Sequence, residues 1–169
     1  MYKATRLLID ARQKNTNYKL QKVNVLSVPI GEANKCHHNT FEYQMKDVLQ
    51  SGCERSVPVS GWLVGKYNKA KDETEIIQHW WNIDEVTKQH FDTTPIIDGT
   101  KHSDYEYVTD FDISIWGNDN YDEIDSNVCN SLCLRGGKWY LVNEDTDGKL
   151  IYQETDSLKV ENLFLELGN

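Results

Sequence analysis

The sequence predicts an α+β fold, and three observations carry that prediction. One stretch between Asn34 and Gly52 has clean helical spacing. The chain after it is dominated by short alternating runs of β-branched and aromatic residues, and two of these runs flank an Asp-Gly turn. A single early helix followed by a meander of antiparallel strands is the order expected of an α+β protein, with the helix packed on a mainly antiparallel sheet. The 169 residues fit one domain spanning 1–169, and no repeat, low-complexity tract or Pro/Gly-rich linker divides them.

Each element follows from its own pattern. Residues 3–9 read as extended, and residues 22–28 do so through Val23, Val25, Leu26 and Val28. In the helix, Phe41, Met45, Val48 and Leu49 fall at i, i+4, i+7 and i+8, the stripe of a half-buried face. Asn34 suits the N-cap and Gly52 the left-handed stop, which places Cys36 in the first turn. Residues 57–67, 75–82, 91–97 and 105–116 then read as strands. The last alternates through Tyr105, Tyr107, Phe111, Ile113 and Ile115. Pro29, Pro58 and Pro95 stand at the edges of apolar runs, where a strand tolerates proline. Residues 138–143 and 149–153 form a hairpin around Asp147-Gly148. Residues 157–167 lean towards a short helix.

Composition narrows the function. The formal charge is −9 and aromatic residues make up 11%, so the chain combines an acidic surface with a ring-rich core rather than the aromatic-poor make-up of an acidic disordered tail. Phosphate binding needs a basic patch, so nucleic acid is not an expected partner. No run approaches the ~18 apolar residues of a membrane span. The first apolar run breaks at Asp10, too early for a secretory leader. Four cysteines, Cys36, Cys53, Cys129 and Cys133, are too sparse for a disulfide scaffold. The expectation is a soluble, cytoplasmic protein with reduced thiols.

The chemistry-bearing residues are Cys36, His79 and Asp92. A cysteine at a helix start meets the positive end of the helix dipole and unpaired N–H groups, which favour a thiolate and suit an oxyanion. His79 lies mid-strand in Gln78-His79-Trp80-Trp81, and Asp92 opens the next strand in Asp92-Thr93-Thr94-Pro95. Neighbouring antiparallel strands can set that imidazole beside that carboxylate, giving nucleophile, base and orienter.

This order resembles the papain-like thiol hydrolases, most closely the compact branch that includes bacterial cell-wall amidases and peptidases. Cys36-His37-His38-Asn39, Gly61-Trp62, His79 and Asp92-Thr93-Thr94-Pro95 are similar to a Cys-His-x-Asn, Gly-Trp, His, Asp-x-Thr-Pro pattern of small bacterial and phage proteins. The resemblance covers about residues 30–98. It implies a papain-like core, Cys36 as nucleophile, His79 as general base and Asp92 as orienter. It further implies acyl transfer on a peptide-like or small amide substrate, with no cofactor and no metal. It offers Asn34 or Asn39 as a donor to the oxyanion, while papain's glutamine upstream of its cysteine has no counterpart here. Trp62 and Trp80 become substrate walls if they line a cleft beside Cys36.

Other readings compete. Cys36, His37, His38, Cys53, His79 and His90 lack the paired spacing of a zinc knuckle, and Cys129 and Cys133 stand four apart, as on one helix face. The acids Asp98, Asp104, Glu106, Asp110, Asp112, Asp119, Asp122, Glu123 and Asp125 concentrate negative charge in mid-chain. They suit a solvated face, or a non-catalytic acidic binding protein, phage-encoded inhibitors being the analogy, that occupies a macromolecular protein partner.

Overall fold

A computed structural model describes residues 1–53, 55–96, 100–113, 131–159 and 163. It is α+β, with a mainly antiparallel open sheet and few helices. In chain order the elements are α1 (Lys3–Gln13), β1 (Gln21–Val23), β2 (Val25–Ser27), α2 (Cys36–Ser51), β3 (Ser56–Val64) and β4 (Glu73–Asp84). There follow β5 (His90–Asp92), a 3-10 turn at His102–Asp104, β6 (Glu106–Thr109), β7 (Ser131–Arg135), β8 (Lys138–Glu144) and β9 (Leu150–Thr155). The strand order is β1-β6-β3-β4-β7-β8-β9, and β5 joins β4 off this path. The pairing of β2 with β5 is parallel, the others being antiparallel.

The first element corrects the sequence reading: residues 3–9 are helical, not extended. Ala4, Thr5, Leu8 and Arg12 make the buried stripe of α1, at helical spacing but with a hydroxyl and a guanidinium among its members. Arg12 is fully buried. It donates to Asp110 through Nε (2.7 Å) and Nη2 (3.0 Å), to Asp112 through Nη2 (3.0 Å) and to the Leu158 carbonyl through Nη1 (2.6 Å). Trp62 Nε1 donates to the same Asp110 at 2.9 Å. A charge so buried is tolerated because it is matched and hydrogen-bonded. Leu8, Trp62, Val64, Ile76, Val108 and Leu132 form the adjoining core.

The mid-chain acids are corrected by the same contacts. Asp110 and Asp112 hold Arg12, Asp104 binds Lys66 at 2.6 Å, and Glu106 accepts from Thr5, Lys22 and the Tyr2 amide. These four acids are internal or paired, not a bare acidic face. Asp98, Asp119, Asp122, Glu123 and Asp125 lie outside the described residues, as does Cys129. Cys133 lies on β7, so its spacing from Cys129 is not that of a helix face.

Helix α2 starts at Cys36 and ends at Gly52, whose φ of 71° closes it through an amide bond to Val48 O at 2.9 Å. Its buried residues are Cys36, His37, Asn39 and Thr40, whereas Met45, Val48 and Leu49 are exposed. Two bonds stand at its buried face: Thr40 Oγ1 donates to the His37 carbonyl at 2.7 Å, and Asn82 Nδ2 donates to the Thr40 carbonyl at 3.1 Å. Asn34 is not the cap. Lys35 takes that position without a side-chain bond, and Asn34 adopts φ 61°, a left-handed conformation that asparagine accepts.

Strands β3 and β4 pair along their length, with Gly61 opposite His79. A Cβ on Gly61 would lie 1.9 Å from the Val108 carbonyl oxygen and 2.8 Å from the Trp81 ring, so only glycine lets β6 and Trp81 approach here. The β8–β9 hairpin forms as predicted, with Asp145 Oδ1 accepting from the amides of Asp147 and Lys149. The strand expected over 105–116 ends at Thr109, and residues 111–113 turn helical. Its remaining residues, 114–116, lie outside the described part, and so does most of 157–167. Among the described residues no helix is long and apolar enough to cross a membrane.

Candidate active site

The site is assembled by two local devices. First, β2 runs beside β5, and the chain beyond it stays there: the Val28 amide donates to Asp92 O, and the Ile30 and Gly31 amides donate to Thr93 O. Second, Asn39 clamps the approach to α2. Its Nδ2 donates to Glu32 O (2.6 Å) and Thr94 Oγ1 (3.1 Å), and its Oδ1 accepts from the Glu32 amide (2.9 Å). Gly31 leaves room for this amide, since a Cβ there would stand 2.4 Å from Asn39 Cγ. The start of α2 is thereby tied to the strand that carries Asp92.

Cys36 and His79 line one cleft of about 350 Å³, together with Asn34, Glu75, Thr94 and Tyr105. Cys36 and His79 are recessed, at 5% and 6% exposure. Behind them Asp92 is sealed from solvent. Asp92 Oδ2 meets His79 Nε2 at 2.6 Å and accepts from Tyr107 Oη at 2.8 Å, while Oδ1 accepts from the Thr94 amide at 2.8 Å. Burial by itself would raise this carboxyl, but the charge and hydrogen bond of His79, the Thr94 amide and the Tyr107 hydroxyl hold it below the usual aspartate value. An ionised Asp92 is an acceptor only, so His79 Nε2 donates to it, and in the neutral ring Nδ1 is then the acceptor.

Of the residues named from the sequence, Cys36, His79 and Asp92 fall in one neighbourhood, and Asn34 lines the cleft. The other three do not serve the roles expected of them. Asn39 has both amide hydrogens committed to the clamp, which corrects its reading as an oxyanion donor. Trp62 is core, bound to Asp110. Trp80 packs on His37 and Phe41, with ring centroids 4.7 and 5.9 Å away. Neither tryptophan lines the cleft. His37, under that tryptophan, is pushed down to about 4 by burial and then by the neighbouring charge of His38. His90 Nδ1 accepts from Trp81 Nε1 at 3.0 Å, and Cys53 is exposed beyond α2. Among the described residues no group of three or more His, Cys, Asp or Glu is arranged to hold a metal ion.

Sequence reasoning missed Tyr107, His102, Thr94 and Glu75. Tyr107 was visible only as one member of an alternating strand. Glu75, at the cleft and open to solvent, has its carboxyl pushed up by partial burial and then by the charge of Glu73, with Lys71 opposing. A second cavity of about 430 Å³ shares Glu75, Thr100 and Tyr105 with the first. No family model, curated protein or solved structure matches the chain.

Proposed function

We propose that this chain is a cytoplasmic cysteine hydrolase with a papain-like core in a single domain, acting by acyl transfer on a peptide-like or small amide substrate. The Cys36 sulfur attacks the carbonyl carbon while His79 Nδ1 takes the thiol proton and passes it to the leaving amine. Water then attacks the acyl-enzyme, giving one proton to His79, which returns it to the sulfur as the thioester breaks. Asp92 holds the tautomer that makes Nδ1 the base. Amides in the first turn of α2 face the oxyanion, since the first four N–H groups of a helix have no partner within it. The acidic wall at Glu75 favours a neutral or basic substrate.

One observation carries the reading: a cysteine at the start of a 16-residue helix and a histidine fixed by a buried aspartate line the same cleft. Cys36, Cys53 and Cys133 are not in disulfides, as a nucleophile requires. The test is iodoacetamide labelling near neutral pH, followed by peptide mapping. Cys36 should label at least about tenfold faster than the other thiols, and Cys36→Ser should remove that fast phase with the fold intact. Cys133, pushed up to about 11 by burial and by Glu73, supplies the slow reference. Equally slow labelling at Cys36 would end the hydrolase reading.

That outcome would favour the second reading, a non-catalytic acidic binding protein that occupies a protein partner. Its support is the exposed apolar face of α2, formed by Met45, Val48 and Leu49.

A further inference from the structure

We propose that Tyr107 and His102 are positioning residues for the Asp92–His79 pair, a second hydrogen-bonded arm that holds the carboxylate and tempers its pull on the histidine proton; this rests on the reading of that pair as part of a thiol-hydrolase site. Tyr107 Oη donates to Asp92 Oδ2 at 2.8 Å and meets His102 Nδ1 at 2.5 Å. The phenol has one hydrogen, and Asp92 takes it. The contact with His102 is therefore made by an Nδ1–H donating to the phenol oxygen.

His102 is placed for that role and for neutrality. Its ring lies nearly parallel to that of Tyr107, at 7° and 6.3 Å between centroids. Its Nε2 is buried and has no hydrogen-bond partner among the described residues. A lone pair can be left there at modest expense, whereas a charged ring would place a buried N–H there, with the Thr94 backbone as the group that could oppose its desolvation. Burial also lowers the proton affinity of His102, against the charge of Asp92 3.5 Å away and the Thr94 backbone. Tyr107 keeps its proton for the same first reason, burial, reinforced by Asp92. Asp92 thus makes its one hydrogen bond to an imidazole with His79, and shares its charge with a phenol that a second imidazole polarises.

The groups facing His79 are Cys36 from α2, Glu75 on its own strand, Asp92 from β5, Tyr105 and Tyr107 from β6, and His102 from the 3-10 turn. Removing the Tyr107 hydroxyl breaks its bonds to Asp92 and to His102 and leaves the other groups in place. Asp92 Oδ2 then has one donor fewer, and its bond to His79 strengthens.

Two readouts test this in the intact chain. In protein labelled with 15N-histidine, the His79 Nε2 proton resonance should move further downfield in Tyr107→Phe than in the wild type. The alkaline step in the pH profile of Cys36 alkylation should rise by about half a unit to one unit, because the imidazolium that accompanies the thiolate is better stabilised. His102→Ala should give a smaller change of the same sign, and it carries the test if Tyr107→Phe does not fold. His102→Gln, whose amide can donate in place of Nδ1, should return both readouts towards the wild type. Folded variants with an unmoved resonance and profile, beside a fast Cys36, would overturn the arm and spare the hydrolase. Equal alkylation of Cys36 and Cys53 with a shifted resonance would remove the hydrolase and leave the arm as a hydrogen-bonded feature of the fold.

Discussion

Two aspartates, Asp110 and Asp92, are sealed in this molecule at 1% and 0% exposure, and they are held by opposite kinds of partner. Asp110 receives both arms of the Arg12 guanidinium and the Trp62 indole N–H. Asp92 receives an imidazole and a phenol, with a second imidazole behind the phenol. A guanidinium keeps its proton at any ordinary pH, so the Asp110 centre can hold shape and do nothing else. An imidazole exchanges its proton near neutrality, so the charge beside Asp92 can change during a reaction. The Asp110 centre is bound into the core beneath α1, while the Asp92 centre stands behind a cleft. Burial of a carboxylate does not by itself mark a functional group; the partner's ability to give up a proton does.

Breaking the structural centre should have the largest effect on stability. Asp110→Ala leaves the buried Arg12 with Asp112 and one carbonyl, and should destabilise the fold by about 3–5 kcal/mol in urea unfolding. A loss below about 1 kcal/mol would erase the contrast between the two aspartates.

Asp92→Asn should invert the pattern. The amide keeps the shape but removes the charge that favours the imidazolium. Stability should fall by only about 1–2 kcal/mol, while Cys36 alkylation near neutral pH slows about tenfold or more. Equal stability losses in the two variants, with alkylation unchanged, would make Asp92 a second structural centre.

The smallest effect is in acid. The folded-state value of Asp92 is lowered, so its stabilisation is complete above the ordinary aspartate range and is lost as pH falls through the depressed value. Stability of the wild type should therefore fall faster below about pH 4 than that of Asp92→Asn. Parallel curves would show that the carboxylate contributes no acid dependence.

Helix α1 shows why part of the fold was hidden. Its stripe of Ala4, Thr5, Leu8 and Arg12 has helical spacing, but a hydropathy pattern counts an arginine as surface. Its partner Asp110 is 98 positions away, beyond any local signal. Helix α2 erred in the other direction. Its apolar stripe was legible but is exposed, and in the buried first turn Glu32 and Thr94 supply the bonds of Asn39.

The sequence alone determined what local chemistry can determine. Gly52 ends α2 because a left-handed residue must, and Asp147-Gly148 turns the last hairpin. Cysteine, histidine and aspartate stand in the order of a helix start and two neighbouring strands. Only the tertiary structure decided which side chains complete the site and which lie elsewhere. Tyr107 and His102 reach Asp92 across strands, Asn39 is consumed by a loop, and Trp62 belongs to the core around Asp110. Those assignments depend on distances between residues far apart in the chain, and a hydrogen bond is selected by distance, not by order.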